Sequence, residues 1–345
     1  MHTSPMDSQT LYEKLQRRSR AFAAVRSFFV QRDFWEVDTP MLSSTALVDA
    51  YIDPVVAQVH SSPHAAAQQH FLHISPELAL KRVLAAGAQR IYQLSHVFRD
   101  GEVDRLHRVE FTLLEFYRVH SSMQQLITDC QQLFAHINQD LNSLRSNDHT
   151  ATADTMNHLQ WDKPIEQASM QQLWQHHAGI DLAEALQQMQ QGHPDALVQA
   201  VQKAGFSLRK EASFEDAFTQ VMLTRIEPSI GQQRPCAVTH WPKQMASLAQ
   251  LCPDNPLFAQ RFEIYAGGVE LANGFVELTD PLEQRRRFEQ DNAKRQRIGK
   301  QALPLDEDFL QDLQHLPPCV GVAVGFDRLL MLQSAGNTLQ DVMVF

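Results

Sequence analysis

Apolar and polar positions follow two periods along this chain. Leu11, Leu15, Phe22, Val25, Phe28 and Phe29 recur near helical spacing, with Lys14, Arg17, Arg18 and Arg20 between them, and predict an amphipathic helix over 11–32. A short segment, 34–39, then runs into Pro40, as a strand does when it ends at an edge or interface. Residues 55–59 and 71–74 read as strands; the Ser/His/Ala/Gln-rich stretch between them suits a solvated loop better than a histidine ligand set. Ser75-Pro76-Glu77 opens a helix, with Ser75 as N-cap, Pro76 at the first helical position and Gly87 closing the far end.

The period changes to two over 91–117. An apolar segment, 91–98, enters a charged loop, 99–108, and a second strand, 111–117, leaves it. Alternation puts Phe111, Leu113, Glu115 and Tyr117 on one face, and Gln93, Ser95, Val97 and Arg99 on one face of the partner strand. An arginine, an aromatic ring, a carboxylate and a phenol together are costly to bury unless a ligand covers them. The alternative is a hairpin with its polar side in water.

Residues 121–142 form a long helical pattern, and 147–225 read as a Gln-, His- and Ala-rich helical insertion without obvious chemistry. After a buried strand at 236–239 comes a second hairpin, 261–278, turning at Ala266-Gly267-Gly268 and carrying Glu263, Glu270, Asn273 and Glu277. Asn273 and Glu277 share a face, whereas Glu270 has the opposite parity. A bulge, expected at Asn273-Gly274, would bring all three to one site. Carboxylates this dense in a β segment suggest a cation, Mg²⁺ or an ammonium group, against the alternative of a polar sheet face. The helix at 282–299 interleaves arginines with Glu283, Glu289 and Asp291, a solvated pattern rather than a nucleic-acid stripe. Over 321–332 an apolar strand breaks at Gly325 into a helix with Arg328 in its first turn. A cation there opposes the helix dipole unless a phosphate lies in front of it.

Composition narrows the classes. With 345 residues, 43% hydrophobic and 20% charged, the chain can bury a core of ordinary size. A formal charge of −10 argues against a broadly basic, phosphate-tracking surface but leaves room for a local basic patch. The four cysteines are scattered without a CxxC pair, so neither a zinc site nor a disulfide framework is expected. With no apolar leader and no run of membrane-spanning length, a cytoplasmic protein without membrane association is expected.

The order of these pieces resembles the catalytic domain of class II aminoacyl-tRNA synthetases. Pro40 matches the first motif of that class, at its dimer interface; Phe98-Arg99 with Glu110-Phe111 matches the second, and Gly325-Phe326-Asp327-Arg328-Leu329 the third. Within the class, Ser75-Pro76-Glu77-Leu78, 107–117 and 267–278 look like lysyl-tRNA synthetase. The resemblance implies an α+β fold, a mixed and mostly antiparallel sheet flanked by helices. It implies one catalytic domain over 1–345 with the insertion at 147–225, a homodimer, and ATP with Mg²⁺. It also implies roles. Arg99 would hold the α-phosphate and Arg328 the γ-phosphate; Phe111 would stack under adenine, with His107 near the triphosphate. Glu263 and Glu270 would bind Mg²⁺, and Asn273 would position ATP and the substrate carboxylate. Glu77 would take the substrate amino group, with Glu115, Tyr117 and Glu277 around the distal ammonium. Such a set suits lysine activation, which needs carboxylates at the ammonium and positive charge on the phosphates.

Three departures shape the expectation. Only ten residues precede the first predicted helix, so the anticodon-binding domain of lysyl-tRNA synthetases is not expected and tRNA is an unlikely partner. Gly101 stands where the family has a glutamate that contacts ATP, leaving Glu102 as its substitute. Ala323 replaces a glycine beside the substrate backbone, where its methyl would crowd an α-amino group and favour a β-amino one. These features together resemble the bacterial ligases that attach β-lysine to elongation factor P. The resemblance implies ATP-dependent activation of lysine or β-lysine and transfer to that protein. The alternatives are a lysyl-tRNA synthetase-like enzyme using α-lysine, an asparagine synthetase of the same class, whose substrate would need cations where Glu115 and Glu277 stand, and a non-catalytic lysine-binding paralogue.

Overall fold

The computed structural model describes residues 8–145 and 159–344; the start of the expected insertion, 147–158, lies outside them. The chain divides into two compact units. The first comprises 8–122, 133–145 and 278–344, and the second 123–132 and 159–277.

The first unit opens with helix α1 (Ser8–Val30), whose stripe buries Ala21, Ala24, Val25, Phe28 and Phe29. Leu15, counted in the stripe from sequence, stays exposed. The strand expected before Pro40 is only β1 (Trp35–Glu36), running parallel to a later strand. β2 (Leu42–Ser43), β3 (Val56–Val59) and β4 (Gln68–Leu72) form a small antiparallel sheet in the order β2-β4-β3. α2 (Glu77–Ala85) follows, with Pro76 at the N-cap position, one residue later than the Ser75 expected, and no side-chain cap bond from it. Ser75 still accepts a bond from the Glu77 amide at 3.0 Å, but its hydroxyl is committed elsewhere. β5 (Arg90–Phe98) and β6 (Glu110–Val119) make the predicted hairpin, in a register that sets Gln93 opposite Glu115 and Val97 opposite Phe111. Phe29 fastens α1 to this hairpin, stacked on Tyr92 at 4.4 Å between ring centres and tilted against Phe116 at 5.1 Å.

Helix α3 (Met123–Arg145) leads to the second unit. There the strand β7 (Glu166–Ser169) is followed by the helices α4 (Met170–Ala178), α5 (Leu182–Gln190), α6 (Ala196–Lys203) and α7 (Phe214–Val221). Trp174, Phe218 and Trp241 form the centre of its core. β8 (Cys236–Pro242), β9 (Phe258–Ala266) and β10 (Val269–Val276) follow, with β7 parallel to β8 and the other pairs antiparallel. The β9–β10 turn is Gly267-Gly268, both at positive φ, the backbone that a tight two-residue hairpin requires. The expected bulge exists but two residues earlier, between Glu270 and Ala272. Its extra residue, Leu271, is buried. Apolar burial thus outweighed the glycine that suggested Asn273-Gly274.

The chain then returns to the first unit as α8 (Pro281–Arg297), α9 (Glu307–Asp312), β11 (Cys319–Gly325) and α10 (Phe326–Gln333). Asp280 caps α8 through the Leu282 and Glu283 amides. Four of the five α8 arginines pair with carboxylates: Arg285 with Glu307, Arg286 and Arg287 with Glu283, Arg295 with Asp53. This is a charge-satisfied helix and not a basic stripe. β11 lies antiparallel to β6, so the strands of this unit run β1-β5-β6-β11. All four cysteines are buried and free, and among the described residues no helix is long and apolar enough to cross a membrane.

Candidate active site

Of the residues expected around lysine, Glu77, Glu115, Tyr117 and Ala323 lie in the first unit, whereas Asn273 and Glu277 lie in the second. Glu115 is 1% exposed; its Oε1 accepts from the Ser75 hydroxyl at 2.5 Å and its Oε2 from the Tyr117 hydroxyl at 3.1 Å. Glu77 is close enough to repel it. Burial first, and the Glu77 carboxylate second, push Glu115 up to about 8. Glu77 in turn accepts from Lys81 Nζ at 2.6 Å, and Lys81 is itself 1% exposed. Sequence reasoning missed Lys81, because a lysine in a helix reads as a surface residue. The signal available was its i+4 spacing from Glu77. Ala323 on β11 stands directly opposite Glu115, so the two side chains share a face. Gln93 flanks Glu115 on the other side, held by the Thr39 hydroxyl at 2.9 Å.

The residues expected at the phosphates also lie in this unit. Arg99 has its guanidinium over the Phe111 ring, 5.2 Å from the centre, and its Nε reaches the Ile74 carbonyl. Arg328 donates from Nη2 to His107 Nε2 at 2.7 Å and from Nε to the Leu106 carbonyl at 3.3 Å. Asp327, the neighbour of Arg328, is buried and accepts from Arg18 at 2.5 Å and from the Thr112 amide at 2.7 Å. These bonds tie the start of α10 to β6 and α1. Gly101 sits at φ 78° with nothing within 4 Å of where a Cβ would be, so the turn's backbone and not crowding makes glycine suitable there. The adjoining Asp100 amide donates to the Asp53 carbonyl at 2.8 Å, and the Asp53 carboxylate is held by Arg295 and Lys300.

In the second unit Glu263 and Asn273 are cross-strand partners, and the bulge turns Glu270 toward the same face. Glu263 accepts from Arg261 Nη2 and from the Tyr265 hydroxyl, each at 2.5 Å. Burial first, and the nearby Glu270 second, push Glu263 up to about 8. Arg261 also donates to Asn273 Oδ1 at 3.1 Å and to the Met245 carbonyl, with Trp241 against its flat face. Arg261 and Tyr265 were not singled out from sequence, although they lie two residues either side of Glu263 on the same strand face. Glu277 is fully buried just beyond β10, its backbone paired with Ala249 and Gln250. Among the described residues no cluster of three or more metal-ligating side chains occurs. Two carboxylates that repel each other in a buried setting still have the chemistry to hold a cation such as Mg²⁺.

A helix-opening arginine, a pair of buried carboxylates and mostly antiparallel strands fit the pattern of a class II synthetase catalytic domain. Residues 4–345 match the family of tRNA synthetases class II (D, K and N), and the chain belongs to that family. Within it, the chain is similar to elongation factor P–(R)-β-lysine ligases. The protein of Haemophilus ducreyi is 38% identical over 335 residues, 96% of this chain and 93% of that one. Those of Pasteurella multocida and Salmonella gallinarum are each 37% identical, covering 96% of this chain and 94% of theirs.

Proposed function

We propose that this protein uses ATP to activate (R)-β-lysine as an acyl-adenylate and passes the β-lysyl group to a lysine side chain of elongation factor P. The observation that carries this reading is the buried Glu115–Glu77 pocket with the Ala323 methyl on its face. Two carboxylates suit the two amino groups of a lysine, and the methyl disfavours an amino group on the α-carbon. The match to ligases of that name across nearly the whole of both chains supports it further.

In the first step a substrate carboxylate oxygen attacks the α-phosphorus of ATP, the bond to the β-phosphate oxygen breaks, and pyrophosphate leaves. Arg99 serves the α-phosphate and Arg328 the γ-phosphate, with His107 near the triphosphate, where charge grows on the leaving group. Phe111 offers a face to adenine, and Glu102 stands in for the carboxylate replaced by Gly101. Asn273, oriented by Arg261, holds the substrate carboxylate and ATP. Glu263 and Glu270 are the residues that would hold Mg²⁺, which when bound neutralises phosphate charge. Glu77 takes the β-amino group; Glu115, Tyr117 and Glu277 enclose the ε-ammonium. In the second step the acceptor amine attacks the acyl carbon, AMP leaves, and the amine proton is lost as the amide forms.

The reading includes a cytoplasmic homodimer that does not charge tRNA. Tyr12, Leu15, Val30, Trp35, Met41 and Leu42 are all exposed, a run of large apolar side chains on α1 and the segment around Pro40 that suits a second copy of the chain. The test is ATP–pyrophosphate exchange with (R)-β-lysine or α-lysine, followed by label transfer to elongation factor P and to tRNA in one tube. Exchange preferring β-lysine and label on the protein support the reading. Absence of exchange, or label on tRNA alone, overturns it.

A further inference from the structure

The loop between β5 and β6 carries a chain of contacts that the roles above leave unused. Arginine can only donate, so the 2.7 Å contact from Arg328 Nη2 makes His107 Nε2 an acceptor. The imidazole must then carry its proton on Nδ1, and that nitrogen lies 2.9 Å from Asp104 Oδ2. The other Asp104 oxygen, Oδ1, accepts from the Leu106 amide at 2.6 Å. Both carboxylate oxygens therefore have separate work, one shaping the turn and one fixing the tautomer. The loop is anchored independently as well: the Leu339 amide donates to the Arg105 carbonyl at 3.0 Å, and Arg105 Nη1 to the Asn337 carbonyl at 3.1 Å.

We propose that Asp104 is a positioning residue for the triphosphate, acting through His107 to hold Arg328 in its phosphate-binding pose. The inference deepens the proposed function and rests on Arg328 meeting the phosphates of ATP. Without the Nδ1–H tautomer, His107 would present an N–H to the guanidinium. Two donors facing each other would release Arg328 from this pose. A surface aspartate some distance along the loop thus acquires a role in ATP affinity without touching ATP.

Asp104→Asn and Asp104→Ala separate this from a structural role. Asparagine keeps an oxygen for the Leu106 amide but offers an amide N–H₂ to Nδ1, which favours the wrong tautomer. Alanine removes both contacts yet leaves Arg328 free to select the correct one. The proposal predicts that Asp104→Asn raises KM for ATP and for pyrophosphate about tenfold, as loss of an orienting partner does, with KM for β-lysine unchanged. Asp104→Ala should be milder. A structural role predicts the reverse order, because alanine alone loses the turn. Nitrogen NMR of histidine-labelled protein reports the His107 tautomer without needing activity: Nδ1–H in the wild type and Nε2–H in Asp104→Asn support the proposal. An unchanged tautomer in Asp104→Asn, or unchanged ATP and pyrophosphate constants beside a shifted tautomer, overturns it. A wild type with the expected tautomer but no exchange would instead overturn the proposed function.

Discussion

Binding of β-lysine should release a proton from Glu115. The unliganded carboxyl is buried beside Glu77 and pushed up to about 8, so at pH 7 roughly nine-tenths of the molecules carry its proton. An ammonium group arriving at contact distance lowers a carboxylate's pKa by about 1–3. Glu115 in the complex then falls to about 5–7, and binding at pH 7 expels about 0.4–0.9 of a proton. The sign follows: ligand affinity is lowest when Glu115 is protonated and rises as pH increases toward 8. For a fall of two in pKa the gain approaches a hundredfold, about 3 kcal/mol. Titration calorimetry at pH 7 in two buffers of different ionisation heat, with a non-reactive ATP analogue present, measures the proton directly. Glu115→Gln should bind more weakly and release none. Affinity that stays flat between pH 6 and pH 8, or proton release that survives in Glu115→Gln, would refute the reasoning.

The same group predicts how the unliganded protein responds to pH. Its folded value lies above the ordinary carboxylate value of 4.5, so the folded state keeps a proton that the unfolded chain loses, and stability declines as pH rises from 4.5 to about 8. Glu115→Gln, a permanent mimic of the protonated form, should therefore gain Tm over wild type by more at pH 8 than at pH 5 in thermal melts. Lys81→Met should lower stability by about 3–5 kcal/mol in denaturant titrations, because it leaves Glu77 buried without its cation; the double variant with Glu77→Gln should recover much of the loss. Ala323→Gly should shift the ratio of kcat/KM values toward α-lysine by about tenfold, the worth of one methyl group in a tight pocket. An unchanged ratio in exchange assays would remove Ala323 from the specificity argument.

Local patterns carried most of the fold. The period-two alternation over 91–117 gave the faces of the hairpin correctly, because parity along one strand is a property of consecutive residues. What it could not give was the neighbour of Glu115 across β11, since the pairing of Ala323 with Glu115 joins residues far apart in sequence. The bulge near Glu270 was predicted from a parity conflict and misplaced by two residues, because glycine marks where a backbone can bend and not where packing makes it bend. The partners of the site residues were the least legible. Ser75 was read as a helix cap and also donates to Glu115; Asp104 was not singled out within the charged loop 99–108. Their roles depend on which distant group the folded chain brings within hydrogen-bond reach.

The two units share a physical device. In each, one buried carboxylate is raised to about 8 by burial and by a second carboxylate, Glu77 beside Glu115 in the first and Glu270 beside Glu263 in the second. Two ionised carboxylates side by side would repel, so the unliganded fold favours the protonated form of one member of each pair. Each pair already has one cation beside it: Lys81 donates to Glu77, with Ser75 and Tyr117 on Glu115, and Arg261 donates to Glu263 together with Tyr265. Perturbed carboxylates of this kind cluster at functional sites. Under the proposed function, the first pair would take a substrate ammonium group and the second would hold Mg²⁺.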